Sequence, residues 1–599
     1  VGEAAREVAR PIVFAIGIII IVFLPLFTLQ GVEGKLFSPM AYTISFALIG
    51  ALILALTLVP ALASLAFKMG VVHKEPRLVL ALGRLYEPVV NTVVKAPKLV
   101  MGIAVLAFAG SLLLFPFLGS EFVPTLREGT FQLRSTLTPG ASLDSAINYG
   151  KRIQEVLEDF PEVTQSYARV GRAEVGGDPE PVNVVSTVIT LKPLDQWPDG
   201  LSYEELQSRI AEALNEKIPG LANNMSQPIQ LRTDELLSGV QAQLVASIFG
   251  DDLKELTRIG KEVEALAKDV RGATDVRSQQ MAGKKQIVIR PDRNALAQYG
   301  ISIDHVMETV ELGIGGGTAG LVFDGVRRFE IYARLQERFR GSLDKIRELP
   351  LRGASGEMIP LKRVAEVTTY AGPKKISRSN ASRRLYVQMN VRGRDMGGVV
   401  EELRARIKQQ VQMPPGYFVE FGGQFENQQR AMARLQVVVP ITLALIFLLL
   451  YSAFGSLRYA TLIFLNVPFA VTGGIVALFV TGLYLSVPAA VGFIAVFGVA
   501  VLNGVVMVSY INQLRDQGHE VMEAVKLGAK RRLRPVLMTA SVAILGLVPL
   551  LLADGIGSNV QRPLATVVVG GLITSTLLTL VVLPSIYQWF AMKRKEVDL

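Results

Sequence analysis

Two pairs of neighbouring acids stand out as groups able to do chemistry: Asp178 and Glu180 in GGDPEPV, and Asp234 and Glu235 in RTDELLSG. Carboxylate oxygens placed this way suit a divalent cation of borderline hardness such as Zn²⁺, Co²⁺ or Ni²⁺. The chain has no cysteine, which excludes disulfides and thiolate sites and leaves metal chemistry to carboxylate, Met, His or backbone oxygen. Its three histidines, His73, His305 and His519, lie far apart in sequence and read as unrelated side chains. Paired acids in loops are commonly just solvated, and Arg232 beside Asp234 offers a local ion pair instead of a ligand set. Two polar residues inside apolar runs complete the set: Asn503 in GVAVLNGVVM, and Thr539 shortly after Arg534. A polar group in hydrocarbon is costly and therefore a candidate for function, although an ordinary helix-helix contact of roughly 1 kcal/mol also accounts for it.

Two different kinds of structure must position these residues. Half the residues are hydrophobic, 19% are charged and the mean hydropathy is +0.38, which averages greasy spans with an ordinary soluble domain. Eight apolar runs are candidates for crossing a membrane: Pro11 to Leu29, Met40 to Phe67, Leu99 to Leu118, Val437 to Phe454, Tyr459 to Thr481, Val487 to Tyr510, Pro535 to Ala553 and Pro563 to Phe590. A helix needs roughly 20 apolar residues to cross about 30 Å of hydrocarbon. Between the third and fourth runs lies a soluble block, Gly119 to Gln436, so the layout is residues 1–118 in the membrane, 119–436 outside it and 437–599 in the membrane again. The formal charge of +10 does not mark a nucleic-acid binder, because the basic residues cluster beside the apolar runs. Arg6 and Arg10, the Lys68 to Lys98 segment, Arg458, Lys526 to Arg534 and Lys593 to Lys595 all fall on one side when the spans alternate. That side is the cytoplasm, with the soluble block opposite. Residues 76–96 carry Leu78, Leu82, Leu85, Val89 and Val93 at helical spacing and read as an amphipathic helix on the cytoplasmic surface. The chain opens on Val1 within a helical stretch, with neither an initiator Met nor a signal peptide, as a piece of a longer protein would.

The soluble block repeats a strand-helix-strand order. Phe131 to Leu137, Leu143 to Phe160, Ser166 to Val170 and Val184 to Leu191 form the first copy. Leu244 to Phe249, Asp252 to Val270, a strand near Arg277 and Gln286 to Ile289 form the second, while Leu385 to Val391, Gly397 to Val411 and Tyr417 to Phe421 form a shorter third. The fold class is thus a polytopic α-helical membrane protein with a large α/β domain of ferredoxin-like β-α-β repeats. Such sheets leave an open face, or the crevice between neighbours, for a ligand, and supply clefts with no catalytic centre. Neither enzyme nor cofactor is indicated.

Several long stretches resemble a known family: GVEGKLFSPMAYT (Gly31 to Thr43), LGSEFVPTLREG (Leu118 to Gly129), PEVTQSYARVGRAE (Pro161 to Glu174), GGQFENQQRA (Gly422 to Ala431), GFIAVFGVAVLNGVVMVSYI (Gly492 to Ile511) and RRLRPVLMT (Arg531 to Thr539). They are similar to the heavy-metal branch of the resistance-nodulation-division (RND) efflux pumps, of the cobalt-zinc-cadmium type, in collinear order along essentially the whole chain. Full members have twelve spans and two exported blocks, and this chain resembles the part from the fifth span onward. The resemblance implies a homotrimeric proton/cation antiporter of the cell inner membrane, with its large domain in the periplasm, that passes a divalent metal cation to a periplasmic adaptor and an outer-membrane channel. It also implies two porter subdomains, near 121–223 and 244–310, and a docking subdomain near 313–371 whose glycines Gly315, Gly316 and Gly317 belong to a loop that interlocks neighbours.

Copper and silver exporters of this branch use three methionines in the exported cleft, and the resemblance places Arg134, Val184 and Glu235 at those positions. None is Met, which points to divalent ions such as zinc, cobalt, nickel or cadmium, with Asp178, Glu180, Asp234 and Glu235 as oxygen ligands; Arg134 is an odd neighbour for a cation. In the family the acidic relay residues lie mainly in a span that this chain lacks, and Leu502 occupies the charged position of the sixth span. Asn503 and Thr539 are then proton-relay support, hydrogen-bonding neighbours of the missing carboxylates, and the chain alone should not pump. A pump for organic compounds and a non-transporting membrane scaffold are the alternatives.

Overall fold

A computed structural model describes residues 2–66, 77–124, 127–138, 140–171, 180–281, 284–373, 375–553, 555 and 557–591. From the N-terminus, α1 (Gly2–Phe23) ends in a single-turn 3₁₀ helix at Leu24–Thr28, followed by α2 (Gly31–Leu56), α3 (Leu58–Ala66), α4 (Arg77–Val93) and α5 (Pro97–Leu114). After the soluble block come α15 (Gln424–Phe454), α16 (Leu457–Phe464), α17 (Asn466–Thr481), α18 (Val487–Asp516), α19 (Val521–Leu552) and α20 (Ser558–Phe590). Among the described residues seven helical stretches are long and apolar enough to cross a membrane, and Ile12–Thr28 is a shorter apolar stretch matching the first expected span. In α18 and α20, 72% and 61% of the most apolar window is buried by protein, against 11% in α19 and 6% in α2. A helix that is apolar all round and buried belongs to the middle of a bundle, whereas one that is apolar all round and exposed faces lipid.

The helices overrun the expected spans. The α2 helix starts nine residues before Met40 and carries Pro39 in its interior, and α19 starts at Val521, so RRLRPVLMT is helical. Hydropathy marks where a helix meets hydrocarbon; backbone hydrogen bonding decides where it ends. The amphipathic α4 does form, but it is no free surface helix: Tyr86 is buried and donates a hydrogen bond to the Leu580 carbonyl, and Lys530 pairs with Glu87 at 2.9 Å. At the same end, Arg515 donates to the Tyr459 hydroxyl at 3.0 Å. Segments expected on the cytoplasmic side thus meet at one end of the bundle. At the other end the chain leaving α5 is stitched to the α17–α18 connection, Glu121 N–H donating to Leu485 O and Leu485 N–H to Gly119 O.

The soluble block contains two ferredoxin-like units, built on a four-stranded and a five-stranded sheet. The first is β1 (Thr130–Thr136), α6 (Leu143–Glu158), β2 (Val163–Val170), β3 (Val184–Leu191), α7 (Tyr203–Lys217) and β4 (Ala222–Ser226), with sheet order β2-β3-β1-β4, followed by α8 (Pro228–Ser238). The second begins with β5 (Leu244–Phe249), α9 (Leu253–Lys268) and β6 (Ala273–Ser278). An inserted unit then intervenes: β7 (Lys284–Pro291), α10 (Arg293–Tyr299), α11 (Ile303–Val310), β8 (Gly317–Asp324), β9 (Arg327–Ala333), α12 (Glu337–Arg340), α13 (Leu343–Arg347), β10 (Pro350–Arg352), β11 (Met358–Pro360) and β12 (Ala365–Gly372). After β13 (Ser377–Ser379), the second unit is completed by β14 (Ser382–Val391), α14 (Met396–Gln410) and β15 (Phe418–Gly423), with β5 between β14 and β15 and β6 on the far side of β14.

The three expected repeats are therefore two units. The second and third copies are halves of one sheet, because a lone β-α-β pair cannot bury its apolar face, and both halves share one core of Leu244, Ile259, Val263, Leu385, Val399 and Leu403. Gln286 to Ile289 is likewise no third strand of that repeat: β7 pairs antiparallel with β12, Gln286 opposite Tyr370, inside the insertion. Strand alternation reveals a strand and not its partner. The glycine cluster sits at the base of the β8–β9 hairpin, where Gly316 takes φ +91° and an added Cβ would stand 2.6 Å from the Tyr332 ring; the hairpin turn is at Gly325.

Candidate functional site

Strand β1 alternates, with Phe131, Leu133 and Ser135 turned to the core under α6 and α7, so Gln132, Arg134 and Thr136 share the open face of the sheet. Register places Arg134 opposite Ser186 on β3 and Asn224 on β4, and Thr136 opposite Val184. Arg134 and Val184 are thus diagonal neighbours on one face. The α8 helix, which carries Glu235, packs on β1 and also touches β15 and α15. Pro228 starts that helix, and the Glu128 carboxylate accepts from the free N–H groups of Ile229 at 2.9 Å and Gln230 at 3.2 Å.

The expected ligands occupy distinct environments. Glu180 is buried and pairs with Arg134 at 2.9 Å, and Arg134 also donates to the Gln241 side chain. Asp234 and Glu235 lie on a helix and not on a loop. Asp234 is 1% exposed, accepts from Gln424 Nε2 at 2.7 Å, and is pushed up to about 7 by its burial. Glu235 points outward and pairs with Arg232 at 3.0 Å, whereas the sequence suggests Asp234 as the partner of that arginine. Asp178 lies outside the described residues, as does His73. Among the described residues no three His, Cys, Asp or Glu side chains gather as a metal-binding group. His305 lies on α11, and His519 pairs with Glu523, so these two are unrelated.

The crevice beside Arg134 is a polar seam between the two ferredoxin-like units, and the sequence reading missed most of it. Asn390 Nδ2 donates to Asn224 Oδ1 and Asp275 Oδ2, both at 2.8 Å, and Arg392 pairs with Asp275 at 2.5 Å. Arg277 stands half-buried nearby; desolvation and the charge of Arg134 hold its guanidinium below the usual range. The connection between the units, Gly239 to Gln243, ties this seam to the membrane bundle. Gln241 O accepts from Asn224, Gln243 N–H donates to Asn390 Oδ1, and Gln243 O accepts from Gln424 N–H at 2.9 Å. Gln424 opens the spanning helix α15, so the residue that holds Asp234 is also the first of a membrane helix. Gly423 before it takes φ +86°, and an added Cβ would stand 2.5 Å from Gln243 O, so only glycine fits. The one sequence hint was the density of amides in GGQFENQQRA ahead of an apolar helix.

In the bundle, Thr539 Oγ1 donates to Asn503 Oδ1 at 3.4 Å, bringing together the two expected support residues. Among the described residues, Asn503 Nδ2, Asn466 Nδ2 and the hydroxyls of Thr472, Thr576 and Thr579 are buried without a hydrogen-bond partner. Gly504 leaves the room that Asn466 needs, since a Cβ there would lie 2.6 Å from Asn466 Nδ2.

Residues 1–591 match the family described as AcrB/AcrD/AcrF. The chain belongs to that family. Within it, the chain is 44% identical over its whole length to the cation efflux system protein CzcA of Alcaligenes sp. (strain CT14) and to the cobalt-zinc-cadmium resistance protein CzcA of Cupriavidus metallidurans, spanning 57% of each. It is 33% identical to the cation efflux system protein CusA of Escherichia coli K12 and spans 58% of it. A solved heavy metal efflux pump superposes with a TM-score of 0.86 at 41% identity, over 97% of this chain and 58% of that one. The chain thus spans a little over half the length of these relatives, and it is a multi-pass membrane protein with a large α/β domain, related to heavy-metal RND efflux pumps.

Proposed function

We propose that this chain is the C-terminal part of a proton-driven inner-membrane pump that exports divalent heavy-metal cations such as zinc, cobalt, nickel or cadmium. The observation that carries the reading is the make-up of the candidate site. Arg134, Val184 and Glu235 stand on one sheet face and its flanking helix with no thioether among them, and Glu180 and Asp234 beside them offer oxygen. Oxygen donors favour hard or borderline dications over Cu⁺ and Ag⁺. The names of the cobalt-zinc-cadmium relatives support the same substrate class. Glu180, Asp234, Glu235 and Asp178 are the metal-handling acids. The Arg134 guanidinium pairs with Glu180 and the Gln424 amide holds Asp234, so loading a cation requires these acids to change partners.

The proton half of the exchange uses Asn503 and Thr539, whose orphaned amide and neighbouring hydroxyls suit a carboxylate acceptor from the rest of the protein. Residues 313–371 form the docking subdomain, and the exposed apolar β8–β9 hairpin (Val322, Phe323 and Phe329) fits a homotrimer contact. The exported block then faces the periplasm, an adaptor and an outer-membrane channel. The test is a resistance profile of cells expressing the full-length protein against zinc, cobalt, nickel, cadmium, silver and copper. Tolerance to at least one divalent ion is expected, and silver resistance with no divalent phenotype overturns the substrate class.

A further inference from the structure

Where the exported block meets the bundle, a polar cavity of about 340 Å³ lies beneath α8 and the end of β14. Its membrane-side wall is the Gly482–Tyr484 connection after α17 together with Asn559 and Arg562 in the first turns of α20. Four guanidiniums line it, and two are already neutralised from outside the cavity: Arg392 by Asp275 and Arg394 by Glu402, each at 2.5 Å. The other two are more weakly compensated. Arg127 makes only a long ion pair with the exposed Glu204, at 3.9 Å, and its Nε is buried without a hydrogen-bond partner among the described residues. Arg562 is exposed to the cavity and makes no ion pair or hydrogen bond among the described residues. The second lining carboxyl, Glu121, is a weak counter-charge, because burial alone pushes it up to about 7 and leaves it substantially protonated at neutral pH.

Two weakly compensated guanidiniums facing one cavity repel each other, and an anion between them relieves that repulsion. The planar fork of each matches phosphate oxygens, and the N-terminal end of the α20 dipole on the same wall favours negative charge. The space is large enough for a phosphate or glycerophosphate group while acyl chains stay outside. Its position at the ends of α17 and α20 is the level at which headgroups sit. We propose that this cavity is a binding site for a phosphate-type anion, held between Arg127 and Arg562 at the start of α20. The site is separate from the metal-handling acids and does not depend on which ion is pumped.

The test uses the full-length protein, purified and stripped of lipid, with inorganic phosphate, short-chain phosphatidylglycerol and short-chain phosphatidylcholine as probes, read by thermal-shift titration and by native mass spectrometry. Saturable binding of phosphate and of phosphatidylglycerol is expected if free anion suffices. Saturable binding of phosphatidylglycerol without phosphate identifies a lipid headgroup, and either pattern supports the site. Arg127→Gln and Arg562→Gln should each raise the dissociation constant at least tenfold, since a lost charge-assisted hydrogen bond is worth about 1.5 kcal/mol or more. Arg562→Lys should keep much of the binding and shows that a loss is not misfolding. No saturable binding by either anionic probe, equal binding of phosphatidylcholine, or unchanged affinity in both glutamine variants overturns the proposal.

Discussion

The seam between the ferredoxin-like units and the interior of the helix bundle both bury polar side chains, yet they are satisfied differently. In the seam, carboxylate meets guanidinium within the chain: Glu180 with Arg134, and Asp275 with Arg392 and Asn390. In the bundle, Asn466, Asn503, Thr472, Thr576 and Thr579 leave donors unpaired at 9% exposure or less. A buried polar network stabilises only when its members find partners, whereas isolated orphans each cost roughly 1–3 kcal/mol. The seam therefore holds the two ferredoxin-like units in one arrangement, while the bundle leaves buried donors unpaired among the described residues. Gln424, reaching Asp234 from the first turn of α15, is the physical link between the two.

The largest effect should come from removing the acids where the regions join. Asp234→Asn with Glu235→Gln in the full-length protein is expected to abolish divalent-ion tolerance at equal expression, because amides cannot supply the charge a dication needs. Unchanged tolerance would reduce these acids to structural roles. Next in size, Arg392→Ala strands Asp275 in the seam and should destabilise the exported block by about 3 kcal/mol, as broken buried pairs do. A thermal midpoint equal to wild type would show that the seam does not hold the units together. A pH scan sharpens the contrast further. Asp234 and Glu121 are both raised to about 7 from ordinary carboxylate values, so the folded protein binds more protons than the unfolded chain between about pH 4 and 7. Stability should then rise as pH falls from 8 to 6, and Asp234→Asn should flatten that slope; a wild-type slope retained in the variant removes Asp234 as its source. In the bundle, Asn503→Leu should change stability by less than about 1 kcal/mol, since its contact to Thr539 is long, yet it should impair transport. Full transport with the leucine would make Asn503 an ordinary packing residue. Smallest of all, Lys268→Ala removes an exposed helical pair with Glu264 and should shift stability by under about 0.5 kcal/mol in a chemical-denaturation midpoint.

Long-wavelength features were legible in the chain. Apolar runs marked the membrane helices, since hydrocarbon demands uninterrupted greasy helices whatever the tertiary contacts. Alternation and helical spacing found β1, α6, β5, α9, β14 and α14, because local burial imposes the same period on any sheet or helix. Asn503 and Thr539 were found as polar residues in apolar surroundings, and the structure does place them together. The rest depended on which segments meet. Nothing in the sequence near β7 says that its partner is β12, 81 residues on from Lys284 to Ala365, or that two short repeats close one sheet around an insertion. RTDELLSG looked like a solvated loop; burial under α15 made Asp234 an inward helical acid, and only the fold could supply Gln424 as its partner across |i−j| = 190. Sequence determines what each segment can bury, because that is a property of its own side chains. Tertiary structure alone decides which charge neutralises which, because Coulomb and hydrogen-bond energies depend on distances of a few ångströms between residues that the chain keeps hundreds of positions apart.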